Sequence, residues 1–334
     1  MIETIDKGYF EEQFSSGQSW LSTDLKFHLP PSPFYRVYTG GKHGRFMLAT
    51  PTFRCHWGVH LPYLEGVHIL RNPIDIDQNN MPITSISSAD IEQFKRRSPD
   101  NLLQYWARFF ADKLLHSSTH FLYSSEWKIA SMATQDGSQW PYFEESILSR
   151  DMQSLDYHFD WGGFPTDGLI PLKSLPDEHS GRVKWWRKKI HEQCCPPLLL
   201  WWQPHIQAFV LVDGHARLKA YQLEQVQPCC LSIVSFQHIH CGYAVDHPER
   251  IKERLKIFSG IKASLDKGHG PPSIESLNSI MLSLYDNYNY DHLTLTPKVI
   301  NHLDEVIEQD LCALIKDKKV DQKTLHLLLS YAKS

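Results

Sequence analysis

Pro197-Leu198-Leu199-Leu200-Trp201-Trp202 is an unbroken apolar run of buried-strand length. Across the Gln203-Pro204-His205 turn comes a second run, Ala208-Phe209-Val210-Leu211-Val212, which ends in Asp213-Gly214-His215-Ala216-Arg217. Runs without polar alternation mark strands covered on both faces. Gly214 breaks the second run, and from His215 to Glu224 the spacing turns helical through Ala216, Ala220 and Leu223. Cys229 to Phe236 reads as a third apolar strand. Upstream, Arg182 to Gln193 reads as a helix with Val183, Trp186 and Ile190 on one side, and Leu169-Ile170-Pro171-Leu172 as a short strand. This alternation of strand and helix over about 70 residues predicts a compact α/β unit.

Outward from that unit the chain changes character. Residues 1 to 85 are rich in aromatics, Pro and Gly, with strand-like stretches at Phe34–Tyr38 and Arg45–Leu48 and a turn at Thr39-Gly40-Gly41-Lys42. Helical periodicity begins near Ser88, read as an N-cap, and a second helix is expected from Pro99 behind Ser98. Leu102, Leu103, Trp106, Phe109, Phe110 and Leu114 share one face of it, while 134–167 is turn-rich with no clear element. After residue 247 the spacing predicts helices over 248–258, 273–285, 297–315 and 321–332. The expected fold class is therefore α+β: an aromatic-rich α+β region over 1–160, the α/β domain over 161–243, and a helical region over 244–334.

Composition excludes several classes of function. The 334 residues carry 34 Lys and Arg against 38 Asp and Glu, a net charge of −4 with neutral histidines, which argues against a protein that holds duplex DNA by its backbone. The segment from 250 onward has 12 basic and 11 acidic residues, so it lacks the charge of a DNA-reading helix-turn-helix. A hydrophobic content of 42% with 10 Trp supplies a large core and rules out general disorder. No apolar run approaches the roughly 18 residues of a membrane span, and the acidic N-terminus is unlike a secretory signal. Seven cysteines, two adjacent pairs among them, have no repeating spacing and read as reduced, buried thiols. A cytoplasmic protein without a membrane partner is expected.

Chemistry concentrates in Asp213-Gly214-His215-Ala216-Arg217. A strand end, a glycine turn and a helix start present free backbone N–H groups and the positive end of a helix dipole, a setting for an anion. Gly214 allows close backbone approach to a phosphate, and Arg217, one turn in, offers a planar fork of donors. Asp213 could hold a Mg²⁺–phosphate assembly or accept a proton, and His215 could contact phosphate or transfer a proton near neutral pH. The same residues also admit a purely structural account, with Asp213 capping the helix and Arg217 pairing with an acid.

The order of elements, the Asp213-Gly214-His215-Ala216-Arg217 string and the opening Ile170-Pro171-Leu172-Lys173-Ser174-Leu175-Pro176 together resemble the ParB/sulfiredoxin-like superfamily over about 168–240. The resemblance implies that the glycine turn and the following helix bind nucleotide phosphates through Gly214, His215, Ala216 and Arg217. Sulfiredoxins carry a reactive cysteine where this chain has His215, so that activity is not expected. The CTP-binding ParB proteins carry a doubled arginine that is missing here. The free serine kinases have an Asp-Gly-His-x-Arg string, matched by Asp213, Gly214, His215 and Arg217, and are the branch this chain is most similar to. That branch implies a phosphotransferase using ATP or ADP with Mg²⁺ and a small hydroxyl-bearing substrate. Glu178, or else Asp177, would be the base, with Asp213 and His215 beside it in catalysis. The alternatives are a CTP- or ATP-gated interaction module, engaging a protein partner or DNA through the helical C-terminal region, and a scaffold with a vestigial pocket.

Other motifs carry less. The His-x-x-x-His spacing of His56 and His60 is interrupted by Gly58 and followed by Pro62, and His238, His240 and Cys241 fall on opposite faces of a strand; neither is expected to hold a metal. Gly40-Gly41-Lys42 reads as a hairpin rather than a phosphate loop. Arg182, Lys184, Arg187, Lys188, Lys189 and His191 make the helix over 182–193 basic, for which a solvated face is the simplest account.

Overall fold

Strand-forming segments dominate the first 71 residues, where β-branched and aromatic residues are frequent. The computed structural model describes residues 8–15, 19–27, 33–40, 45–60, 66–97, 101–122, 126–132, 147–149, 152, 154–160, 168–204, 206–240, 256, 259, 263, 289–293, 298–300 and 303–316. In chain order, the N-terminal part holds β1 (Gly8–Phe14), β2 (Trp20–Phe27), β3 (Arg36–Gly40), β4 (Arg45–Ala49), β5 (Arg54–His60) and β6 (Gly66–Arg71). After these come α1 (Ser88–Arg97), α2 (Leu102–His116), β7 (Glu126–Ser131) and β8 (Asp156–Asp160). The α/β unit contributes β9 (Gly168–Pro171), α3 (Gly181–His191), β10 (Leu198–Gln203), β11 (Ala208–Asp213), α4 (His215–Glu224) and β12 (Cys230–His240). Last are β13 (Asn289–Leu293), β14 (Lys298–Ile300) and α5 (Leu303–Lys316). The content is α+β, as expected.

Two sheets result. The first runs β1-β2-β7-β12-β10-β11-β9, with β13 also pairing β12, and the second runs β14-β3-β4-β5-β6-β8. In the first, β10 is antiparallel to β11 and parallel to β12, and β9 is parallel to β11. The apolar runs are explained by cover on both faces. Leu199, Trp201, Ala208, Val210 and Val212 join a core with Trp106, Val183 and Trp186, whereas Leu198, Leu200, Trp202, Phe209 and Leu211 join another with Leu218. The second sheet divides its residues the same way. Phe46 and Leu48 of β4 face the large core, and Met47 and Ala49 face Leu303, Ile307, Leu311 and Leu314 of α5. Polar anchors reinforce that docking, with Arg45 on Asp304 and the Trp57 indole donating to Asp310.

Several expectations need correction. One compact unit comprises Met1–Phe236 with Leu293–Ser334, and a second comprises Gln237–His292. Strands β1, β2 and β7 extend the very sheet that the α/β unit builds, because β12 would otherwise leave an unpaired edge of N–H and C=O groups. The region after 244 is not wholly helical. β13 and β14 are strands, Val299 and Ile300 being β-branched residues that pair with β3, and α5 starts at Leu303 rather than Pro297. The helices expected over 273–285 and 321–332, and nearly all of that over 248–258, lie outside the described residues. Helix α1 is capped by Ser87, whose hydroxyl and N–H meet the Asp90 carboxylate in a capping box, one residue before the expected Ser88. Helix α2 starts at Leu102 behind the Asn101 cap rather than at Pro99. β8 falls in the turn-rich stretch where no element was expected. The Cys55, Cys194, Cys195, Cys229, Cys230 and Cys312 thiols are free, as expected.

The close approach of β9 to β11 carries a test. A Cβ at Gly168 would lie 2.5 Å from the Ala208 Cβ, whereas one at Gly181 would meet nothing within 4 Å. Gly168→Ala is expected to lower unfolding free energy by about 1–3 kcal/mol. Gly181→Ala, inside the first turn of α3, is expected to raise it by up to about 1 kcal/mol. Urea titrations of the two variants should therefore shift in opposite directions.

Candidate functional site

Gly214 is the corner on which the site is built. Its φ of +111° is open to glycine but strained for other residues, and a Cβ there would lie 2.6 Å from Leu198 Cδ2. It is the N-cap of α4 and offers no side-chain acceptor to the first N–H groups of the helix. Those donors and the positive end of the dipole face the same space as Ala216 and His215.

Arg217 is 2% exposed and already largely employed. Its Nη2 donates to Asp213 Oδ2 at 2.5 Å and to the Pro197 carbonyl at 3.2 Å, and the guanidinium stands 5.1 Å from the centre of the Trp186 ring. Nε is buried without a hydrogen-bond partner. The structure thus gives Arg217 a bracing role that the expected fork onto phosphate did not include, and it gives Asp213 a cationic partner rather than a free carboxylate.

His215 is buried, and its Nε2 accepts the Lys173 backbone N–H at 3.4 Å, which assigns the ring proton to Nδ1. Burial first, and then the cations Lys173, Arg217 and Arg71, hold its pKa well below the usual imidazole range. It is a neutral ring at physiological pH, not the near-neutral titrating group expected from sequence.

These residues line a cavity of about 340 Å³. The β9–α3 loop adds Lys173 and Ser174 to it, and the first turns of α3 add Arg182 and Trp186. Arg182 donates to the Ile86 carbonyl and stacks over Trp185 and Trp186, 4.6 and 4.8 Å from the ring centres. Three cations, Lys173, Arg182 and Arg217, thus share a space with two carboxylates, Asp75 and Asp213. Burial lowers the pKa of both Lys173 and Arg182, and the neighbouring Arg217 charge lowers that of Arg182 further. A half-buried excess of positive charge is favourable only with an anion nearby.

Glu178 is not brought to this space. Its side chain is 45% exposed, its Oε1 lies 3.4 Å from His179 Nε2, and it is absent from the cavity wall. Asp177 accepts the His179 N–H and Ser180 caps α3 through Val183, so 177–180 serves as the turn that starts a helix. Asp75, Gln78 and the apolar residues after them were not anticipated. They come from nearly a hundred residues upstream with no motif of their own, and only the fold brings them here. Lys173 and Ser174 had a signal: polar residues directly after the C-terminal end of a strand in an α/β unit, where ligands bind.

Among the described residues no group of three or more His, Cys, Asp or Glu is placed to hold a metal ion. His56 is buried with its Nε2 3.1 Å from the Pro171 carbonyl, and the side chains of His60, His238 and His240 lie outside the described residues. The two carboxylates that line the cavity are already engaged, Asp213 with Arg217 and Asp75 with Arg71 and Ser174, so a Mg²⁺ ion there would have to draw most of its ligands from phosphate oxygens and water. The basic face of α3 is mostly paired, Arg187 and His191 with Glu224 and Lys189 with Glu192.

Buried neutral histidines make stability pH-dependent. His56 is pushed down to about 3, mainly by burial, and His215 moves in the same direction. Below about pH 6.5 the unfolded chain protonates both rings while the folded chain does not, so their contribution is complete above that pH and is lost as pH falls. Urea unfolding between pH 6.5 and 5 should show stability falling by up to about 1.4 kcal/mol per pH unit for each ring, and His215→Asn should remove one such share of the slope.

Compared with known proteins, the chain matches no family model, no curated protein and no solved structure.

Proposed function

We propose that the cavity at the start of α4 binds the phosphates of a nucleotide, ATP or ADP with CTP as the alternative, in the manner of the ParB/sulfiredoxin-like proteins that 168–240 resembles. The observation that carries this reading is the set of half-buried Lys173 and Arg182 and buried Arg217 around an uncapped helix N-terminus, with the Arg217 Nε unpartnered beside Gly214. An anion there would compensate buried cations and take up helix N–H donors at once. Bound Mg²⁺ would neutralise phosphate charge, with Asp75 or Asp213 as its protein ligand.

The finer reading is phosphoryl transfer to a small hydroxyl-bearing substrate, as in free serine kinases. It draws its support from the Asp213-Gly214-His215-Ala216-Arg217 string. A nucleotide-gated module without turnover is favoured by two observations: Glu178 stands outside the cavity, and both lining carboxylates already accept hydrogen bonds. A small-molecule or a protein partner would distinguish the two.

Thermal unfolding with ADP, ATP or CTP and Mg²⁺ tests the shared part. Ligand at a hundred times its Kd should raise Tm by about 3 to 5 °C, and Lys173→Met and Arg182→Met should each reduce that shift; no shift with any nucleotide defeats the reading. Product release with hydroxyl amino acids as acceptors tests the finer part. Turnover with such an acceptor supports transfer, and its loss in Glu178→Gln with ADP binding intact would assign the base to Glu178 although it stands outside the cavity; binding without any turnover supports the gated module.

A further inference from the structure

The cavity has a second half that the resemblance to nucleotide-binding domains does not supply. Residues 75–86, from the aromatic-rich N-terminal region, form a wall facing the cationic residues of the loop after β9 and the start of α3. Four hydrogen bonds pin this wall to the cationic half, one of them from the Ser174 hydroxyl to Asp75 Oδ2. Asp75 Oδ1 accepts the Ser174 N–H at 2.7 Å, Gln78 Oε1 accepts the Lys173 ammonium, and the Ile86 carbonyl accepts Arg182. Arg71 donates to the same Asp75 Oδ1 at 3.0 Å, so the anchor itself is fixed. Met81, Ile83 and Ile86 are buried apolar residues lining the cavity, and exposed Gln78 and Ser85, joined by a 3.2 Å hydrogen bond, line it with them.

A ligand that fills both halves must carry an anionic end and an apolar body with a polar edge. Inorganic phosphate or pyrophosphate would leave the Met81–Ile86 half unused. A saturated acyl chain would cover the second Gln78 amide hydrogen and the Ser85 hydroxyl hydrogen, which the Gln78–Ser85 and Gln78–Lys173 bonds leave to water, and would offer them no acceptor. A planar nucleobase meets both demands, since its faces pack on aliphatic side chains and its edge bears donors and acceptors. Resting on the reading given under Proposed function, we infer that the 75–86 wall is the nucleobase subsite of the cavity. The N-terminal region would thereby select the nucleotide while the α4 turn and its cations hold the phosphates.

Calorimetric titration with pyrophosphate, adenosine, ADP, GDP and CDP, all with Mg²⁺, separates the two halves. At least one nucleoside diphosphate should bind tenfold or more tightly than pyrophosphate. Ser85→Trp, at an exposed position where the indole would occupy the wall, should erase that advantage and leave pyrophosphate binding unchanged. If the three diphosphates and pyrophosphate bind the wild-type protein equally, the subsite is overturned while phosphate binding stands. Loss of pyrophosphate and diphosphate binding in equal measure in Ser85→Trp overturns it as well. If neither pyrophosphate nor any diphosphate binds, the phosphate reading itself fails and the subsite falls with it. The wild-type comparison decides the matter even where the variant does not fold.

Discussion

The site depends on one buried ion pair. Arg217 and Asp213 are four residues apart across the glycine corner, and their 2.5 Å contact joins the end of β11 to the first turn of α4. The same guanidinium reaches the Pro197 carbonyl ahead of β10 and packs on Trp186 of α3. One side chain therefore ties four elements of the α/β unit together. Removing Asp213 would leave the buried Arg217 charge without its counterpart, a loss of about 3–5 kcal/mol in such settings. With the brace in place, Gly214 is held at its left-handed conformation and the helix N–H groups stay turned toward the cavity.

The bracing also divides labour. Groups that the motif marks as chemical, Asp213 and Arg217, are largely consumed in holding the corner, and His215 is a neutral ring receiving the Lys173 N–H. Cationic character is carried outward by Lys173 and Arg182, which share the cavity with the braced residues and are secured from the N-terminal region through Gln78 and the Ile86 carbonyl. The two parts of the chain are thus coupled through the site as well as through the sheet that β7 and β12 share.

Much of the α/β unit was legible because its signals are local. The apolar runs at 197–202 and 208–212, the glycine break at 214 and the period of 215–224 each stand in contiguous residues, and β9, α3, β10, β11, α4 and β12 all fall within a residue or two of expectation at their starts. The C-terminal strands were read as helix because β14 is three residues long and gains its identity only from pairing with β3. Among the residues singled out from the sequence, Asp213, Gly214, His215, Ala216 and Arg217 line the cavity. Glu178 does not, since a carboxylate two residues before a helix cap reads the same in sequence whether it turns to a ligand or to water.

The sequence by itself determined a strand–glycine–helix junction with anion-binding potential, because backbone conformation at Gly214 and helix dipole direction follow from a few adjacent residues. Only the tertiary structure decided which side chains surround that junction. Asp75, Gln78 and Ile86 lie about a hundred residues before Lys173, Ser174 and Arg182, and no local period or spacing encodes their meeting. It follows from the packing of the α/β unit against the N-terminal region, where His56 on β5 meets the Pro171 carbonyl at the end of β9. Whether an ionisable group is free, paired or neutral is decided by those same long-range contacts, through burial and neighbouring charge.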